Sequence, residues 1–120
     1  MRFGDSPPTH IHHEEDEIFH IIAGRMRLRV GDKELVGEAG DTLVAPKGVP
    51  HTFYVESAEA RVINISTVGD FERMLRVVSR PAARDDLPEF AAVTPDLAER
   101  LNDAARANRI DIIGPPMAAP

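Results

Sequence analysis

The chain has 120 residues, of which 42% are hydrophobic and 28% are charged, and this size and composition suit a single folded domain. Its formal net charge of -6 and the lack of a basic stripe argue against a nucleic-acid or anionic-membrane partner. Cysteine is absent, which excludes disulfides, thiolate nucleophiles and zinc–thiolate sites. The first residues lack the apolar segment of a signal peptide and no apolar run approaches a membrane span in length, so we expect a cytoplasmic protein.

Imidazoles and carboxylates are concentrated near the start of the chain, in the stretch THIHHEEDE. It contains three of the five histidines, followed by four acidic residues. On a strand, the spacing of His10 and His12 places both side chains on one face and turns His13 to the other. Glu17 can join the two histidines only if the three acidic residues before it form a bend.

Short strands are predicted from about Glu17 to Thr67. Met26, Leu28 and Val30 alternate with arginines, which is the period of a half-buried strand, and Gly31-Asp32 is typical of a hairpin turn. The other predicted strands are Lys33–Val36, Thr42–Ala45, His51–Val55 and Arg61–Ser66. Many short strands separated by turns rich in Gly and Pro indicate an all-β sandwich or barrel.

The second half of the chain changes to a helical period. Apolar residues recur at helical spacing in one amphipathic segment, which Pro81 ends: Phe71, Met74, Leu75 and Val78. A second helix is predicted to begin at Thr94-Pro95-Asp96, after an acidic, Pro-containing connector over 82–93. Ile110–Ile113 is predicted as a short apolar segment that Gly114-Pro115-Pro116 stops, followed by a loose tail.

Two motifs resemble those of the cupin superfamily. The first is Gly4-x5-His10-x-His12-x4-Glu17-x6-Gly24, and the second is Gly40-x5-Pro46-x-Gly48-x2-His51, in which Val55 stands where the family pattern has Asn. Fifteen residues separate Gly24 from Gly40, a spacing normal for small single-domain cupins. The tail, from GDFERMLR to IDIIGPP, is similar to that of bacterial cupins described as quercetin-dioxygenase-like.

The resemblance implies a cupin-type double-stranded β-helix, which is a jelly-roll β-barrel, with a C-terminal helical extension. Residues 1–67 would form the barrel with its metal site, and residues 68–120 would form the extension, packed on the same domain. The resemblance also implies one divalent transition metal (iron, manganese, nickel, copper or zinc) held by His10, His12, Glu17 and His51. Glu17 is in addition the candidate catalytic residue, as a general base.

Other polar residues have simpler interpretations. His13 and His20 are interpreted as surface residues or neighbours of the site, and the acidic run 14–16 as a solvated turn. The row of arginines at 25, 27 and 29 is interpreted as the solvent face of a strand or a dimer surface. The side chains expected to face inward are mostly aliphatic: Phe19, Ile21, Met26, Leu28, Leu43, Phe53 and Val62.

These observations favour a metal-dependent enzyme acting on a small oxygenated metabolite, with dioxygenase-like oxidoreductase chemistry as the leading hypothesis. The alternatives are a non-catalytic module that binds a small ligand and an isomerase that uses the same metal site. In the bacterial cupins that the chain resembles, more residues precede the first motif, and they form the opening strands of the barrel. Because fewer residues precede His10 here, we expect one edge of the barrel to lack strands. A homodimer in which a partner adds a strand is the expected solution, and Ile110–Ile113 is the other candidate for covering that edge.

Overall fold

The computed structural model describes residues 1–120 and contains eight strands and two helices. In chain order the strands are β1 (Pro8–His12), β2 (Glu17–Ala23), β3 (Arg25–Val30), β4 (Lys33–Glu38), β5 (Thr42–Ala45), β6 (His51–Val55), β7 (Arg61–Ser66) and β8 (Ile110–Pro116). The helices are α1 (Asp70–Val78) and α2 (Pro95–Ala107), which lie between β7 and β8 in the chain. Both fall short of the length and apolar character that crossing a membrane would require.

The strands form two antiparallel sheets. The larger sheet has the order β4-β3-β6-β1-β8, and the smaller has the order β5-β2-β7. Consecutive strands therefore alternate between the sheets at several points, which is consistent with a jelly-roll barrel. The predicted all-β fold class with C-terminal helices is confirmed.

The main core lies between the two sheets and follows from the alternation of apolar and polar residues. Met26 and Leu28 on β3 are fully buried, and they pack with Phe19 and Ile21 of β2 across the sandwich. All seven residues expected to face inward belong to this cluster or pack against it. The sheets approach so closely at Gly37 that a β-carbon there would lie 2.6 Å from Cδ1 of Ile21.

The predicted strand bounds hold for β3, β5, β6 and β7, while β4 extends to Glu38, beyond its predicted end. On β6, Thr52 and Tyr54 alternate with the inward-facing Phe53 and face away from the core, yet they are buried because the N-terminal segment covers them. The Thr52 hydroxyl donates a hydrogen bond to the carbonyl of Pro7 at 2.7 Å, and the Tyr54 ring meets the Phe3 ring edge-on at 5.9 Å.

The last strand differs most from its prediction. β8 runs through Gly114-Pro115-Pro116 rather than stopping before it, and it pairs with β1 along that strand's free side. Proline is tolerated there because β8 is an edge strand, whose outward N–H groups need no partner. The prediction of a loose tail is also wrong at its first residue, Met117. This residue is buried, and its N–H donates to Ser6 Oγ at 2.9 Å.

The two helices pack together on β8. Met74 of α1, Ala104 and Ala105 of α2, and Ile110 of β8 form a second buried cluster. Helix α2 begins as predicted, with Thr94 Oγ1 accepting a hydrogen bond from the Leu97 N–H at 3.2 Å. Because β8 belongs both to the larger sheet and to this cluster, the helices are tied to the sandwich. The division at residues 67 and 68 stays a prediction.

Candidate metal centre

The residues of the opening stretch and of the second motif meet because three strands bring them together. His10 on β1 is the direct cross-strand partner of His51 on β6, so their side chains share one face of the larger sheet. His12 lies two residues further along β1, on the same face. Glu17 begins β2 in the smaller sheet and reaches the histidines across the sandwich. The chain does bend between His12 and Glu17, at residues 13 and 14, although the bend was predicted over residues 14–16.

The four side chains converge on a single point. Their candidate ligand atoms all lie within 4.8 Å of one another. Oε2 of Glu17 lies 3.8 Å from Nε2 of His10, 3.2 Å from Nε2 of His12 and 2.7 Å from Nε2 of His51. His12, Glu17 and His51 are buried, and only His10 is partly accessible. This group is therefore able to bind a metal ion and is open to solvent chiefly at His10.

Each histidine ring is held by its other nitrogen. Nδ1 of His10 donates to the Pro8 carbonyl at 2.8 Å, and Nδ1 of His51 donates to the Val49 carbonyl at 3.1 Å. Nδ1 of His12 donates to a carboxylate oxygen of Glu15 at 2.7 Å. With Nδ1 engaged in this way, each ring turns toward the cluster the Nε2 atom that a metal requires. At His51 this atom hydrogen-bonds to Oε2 of Glu17 at 2.7 Å.

Glu17 is held as an anion. Burial raises its pKa, but the facing imidazoles of His10, His12 and His51 outweigh burial and hold the pKa of the carboxyl well below its usual range. Its second oxygen, Oε1, accepts a hydrogen bond from Nδ2 of Asn64 on β7 at 2.7 Å. Asn64 thereby turns Oε2 toward the histidines.

The chemistry of these donors fits a divalent transition metal. Nε2 of His12 is buried and makes no well-aligned hydrogen bond, although Oε2 of Glu17 lies 3.2 Å away, and this is a costly arrangement unless another group occupies the position. Burial lowers the pKa of His12, yet the carboxylates of Glu17 and Glu15 outweigh burial and raise it. Positive charge is thus favoured at this point, whether from a proton or from a cation. Three imidazoles and one carboxylate are suitable ligands for iron, manganese, nickel, copper or zinc.

The interpretation of the acidic run as a solvated turn is wrong for Glu15. This residue is fully buried and contacts both His12 and the beginning of helix α1. Glu14 is exposed, as expected for a turn residue. Neither Glu15 nor Asn64 was identified from the sequence, because their roles depend on contacts between distant segments.

The two remaining histidines lie outside the cluster. Nε2 of His13 lies 2.8 Å from a carboxylate oxygen of Asp111, and Nδ1 of His20 lies 2.9 Å from the Thr42 hydroxyl. Both contacts are solvent-exposed, as expected for surface residues. Two of the three arginines of β3 are paired, since Arg25 and Arg27 both donate to Glu56.

Comparison with known proteins agrees with this geometry. The family model for the cupin domain matches residues 1–66, which contain all four residues of the cluster. Among curated proteins, quercetin 2,3-dioxygenase of Bacillus subtilis (strain 168) is 24% identical over 89 residues, which are 74% of this chain. The chain spans about a quarter of the length of that relative, 26%.

Several solved structures share the fold. TT1209 from Thermus thermophilus has a TM-score of 0.53 and 28% identity, over 56% of this chain and 65% of its own. KdgF from Halomonas sp. has a TM-score of 0.52 and 21% identity, over 55% and 60% of the two chains. The cupin domain of Cnp3 from Schizosaccharomyces pombe has a TM-score of 0.54 and 17% identity, over 63% and 56%.

The family model covers more than half of the chain, and the two antiparallel sheets match those of the cupin structures. Cupin family members bind small-molecule substrates. The chain belongs to the cupin family.

Proposed function

We propose that this cupin is a metal-dependent, dioxygenase-like oxidoreductase that acts on a small oxygenated metabolite. One divalent transition metal would be held by His10, His12, Glu17 and His51. The observation that carries the proposal is the convergence of three Nε2 atoms and one carboxylate oxygen at a buried point. The similarity to quercetin 2,3-dioxygenase of Bacillus subtilis supports the oxidoreductase assignment.

The bound metal would supply Lewis-acid and redox chemistry at coordination positions that four protein ligands leave open. The chain's own residues orient the site. The Nδ1 hydrogen bonds hold the three rings, and Asn64 holds the carboxylate. The surrounding core is mostly aliphatic, and aromatic residues make up only 5% of the chain. An interior with so few aromatic side chains favours a compact substrate, such as a keto-enol, a catechol-like or a sugar-like compound, over a flat polycyclic flavonol.

Glu17 is also proposed as the residue that accepts a proton during the reaction, at Oε2. Its low pKa suits a metal ligand better than a base, because a carboxylate held as the anion has little affinity for a proton. Proton transfer to Glu17 therefore requires that its contacts with the imidazoles loosen first. An isomerase would depend on this step more heavily than an oxygenase.

The first test is metal analysis by inductively coupled plasma mass spectrometry, on tag-free protein purified without added metal or chelator. We expect about one redox-active metal ion per chain. Oxygen consumption is then screened with small enols and diols. Zinc in place of a redox metal, without oxygen uptake, would favour the isomerase or the non-catalytic binding module. Failure to bind any metal, even after reconstitution, would refute the proposal.

A homodimer is part of the proposal, although the reason differs from the one the sequence suggested. β8 of the same chain covers the free side of β1, so a partner strand is not needed there. The outer face of the smaller sheet instead carries apolar side chains that are about half exposed: Ile22, Val44, Ile63 and Ile65. In a symmetric dimer, this uncharged patch would pack against the same patch of a second copy.

Size-exclusion chromatography with light scattering tests this interface. Ile65→Lys, within the patch, should convert the dimer to a monomer, because it places a charge in the buried interface. Val77→Lys, on the exposed side of α1, is the matched control and should leave the mass unchanged. A wild-type mass of one chain would contradict the dimer. The cytoplasmic location stays a prediction, which cell fractionation tests.

A further inference from the structure

We propose that Glu15 is a positioning residue that orients His12 for metal binding and couples the metal centre to helix α1. The inference rests on the proposed function only in that His12 serves as a metal ligand. It assigns a role to a buried charge that neither family motif includes. It also gives the C-terminal helices a connection to the site.

The carboxylate of Glu15 is fully buried and has three hydrogen-bond donors. Oε1 accepts from Nδ1 of His12 at 2.7 Å and from the backbone N–H of Phe71 at 2.8 Å, while Oε2 accepts from the backbone N–H of Asp70 at 3.0 Å. Burying a charge is costly unless donors surround it, so these contacts explain how an acidic residue is accommodated here. Two of the donors belong to helix α1 and the third to the metal centre.

Helix α1 depends on Glu15 in return. The first N–H groups of a helix have no partner within the helix, and a side chain at the residue before it usually accepts from one of them. In α1 that residue is Gly69, which has no side chain to offer. Glu15 takes over this role from 55 residues earlier in the chain, and its negative charge lies at the positive end of the helix dipole.

His12 is the one histidine of the three whose Nδ1 is held by a side chain rather than by a backbone carbonyl. His10 and His51 are held by backbone carbonyls two residues earlier in the chain, so their support is local. Without an acceptor at Nδ1, the proton of the neutral His12 ring is free to move to Nε2, which cannot then bind a metal. Phe71 adds a second contact from the helix, because its ring meets the His12 ring edge-on at 5.7 Å.

The test compares Glu15→Gln with Glu14→Gln. The amide of Gln has one accepting oxygen, so at least one of the three donors at position 15 loses its partner. Glu14 is exposed and one residue away, so its variant makes the same change of charge without the buried contacts. Both proteins are first shown to be folded by circular dichroism. Metal affinity is then measured by competition with a chelator, using the metal that the wild-type protein retains or, failing that, zinc and manganese.

We expect Glu15→Gln to bind the metal about 10- to 100-fold more weakly than wild type, and Glu14→Gln to bind it equally well. Nitrogen-15 NMR of the metal-free protein provides a second readout, which a purely structural role would not change. At a pH high enough for the His12 ring to be neutral, it should find the single ring proton on Nδ1 in wild type and spread over both nitrogens in Glu15→Gln. Amide hydrogen exchange at Asp70 and Phe71 should slow when metal is added to the wild-type protein.

The outcomes separate this inference from the proposed function. Equal metal affinity of two folded variants would overturn the role of Glu15 and leave the metal centre standing. A wild-type protein that binds no metal would refute the proposed function, and the position of the His12 proton would still decide the role of Glu15. If Glu15→Gln does not fold, the wild-type measurements decide. A His12 proton on Nε2, or amide exchange indifferent to metal, would overturn the inference.

Discussion

Replacement of His51 by alanine should abolish most of the stabilisation that a bound metal confers. A ligand present at 100 times its Kd stabilises the folded state by about 2.7 kcal/mol. With an unfolding entropy of about 2 cal/mol/K per residue, a chain of 120 residues gains about 10 °C in Tm. If losing one of four ligands weakens binding by about 100-fold, the gain at the same metal concentration falls to about 2 °C.

The assay is differential scanning calorimetry of wild type and His51→Ala, each with and without metal. The shift caused by metal is compared rather than the absolute Tm, because removing a buried ring also destabilises the metal-free protein. His20→Ala is the matched control, since it removes an imidazole that lies outside the cluster and leaves the same number of histidines in the unfolded chain. Equal metal-induced shifts in the two variants would refute the assignment of His51 as a ligand.

Three further changes test the surroundings of the site. Asn64→Ala leaves a carboxylate oxygen without its donor and should weaken metal affinity by about 10- to 100-fold in the same competition assay. Gly24→Ala should lower the thermal stability more than Gly40→Ala. Both residues have positive φ, which costs an alanine about 1 to 2 kcal/mol, but only at Gly24 would a β-carbon meet a backbone oxygen, at 2.3 Å. Asp70→Asn should cost about 1 to 3 kcal/mol in urea denaturation at pH 7, because it weakens hydrogen bonds with the Arg109 guanidinium. That guanidinium holds the pKa of Asp70 below its ordinary value of 3.8, so the wild-type carboxylate stabilises the fold above that pH. The difference between wild type and Asp70→Asn should shrink as the pH falls through the lowered pKa.

The sequence predicted those features that depend on neighbouring residues. Alternation of side chains on β3 and the turn at Gly31 are local properties, and their strand bounds agree with the structure. The convergence of His10, His12, Glu17 and His51 was expected from a different source, the resemblance of the two motifs to those of cupins.

Features that depend on distant contacts were missed. Glu15 lies in an acidic run with the composition of a solvated turn, and only the position of helix α1 shows that it is buried. Asn64 contacts Glu17 across two strands that are 47 residues apart in the chain. The Gly-Pro-Pro at the end of β8 has the composition of a strand terminator, and only its place at a sheet edge permits the strand to continue.

The pairing of β1 with β8 has a consequence for the order of events during folding. The Thr9 hydroxyl bonds to the Pro115 carbonyl, a contact between residues 106 positions apart. β1, which carries two of the histidines, leaves the ribosome about a hundred residues before its outer neighbour β8. Contacts over such separations slow folding, since a long loop must close before they form. During synthesis one side of β1 therefore stays unpaired, and its hydrogen bonds to β8 form only after β8 has been made.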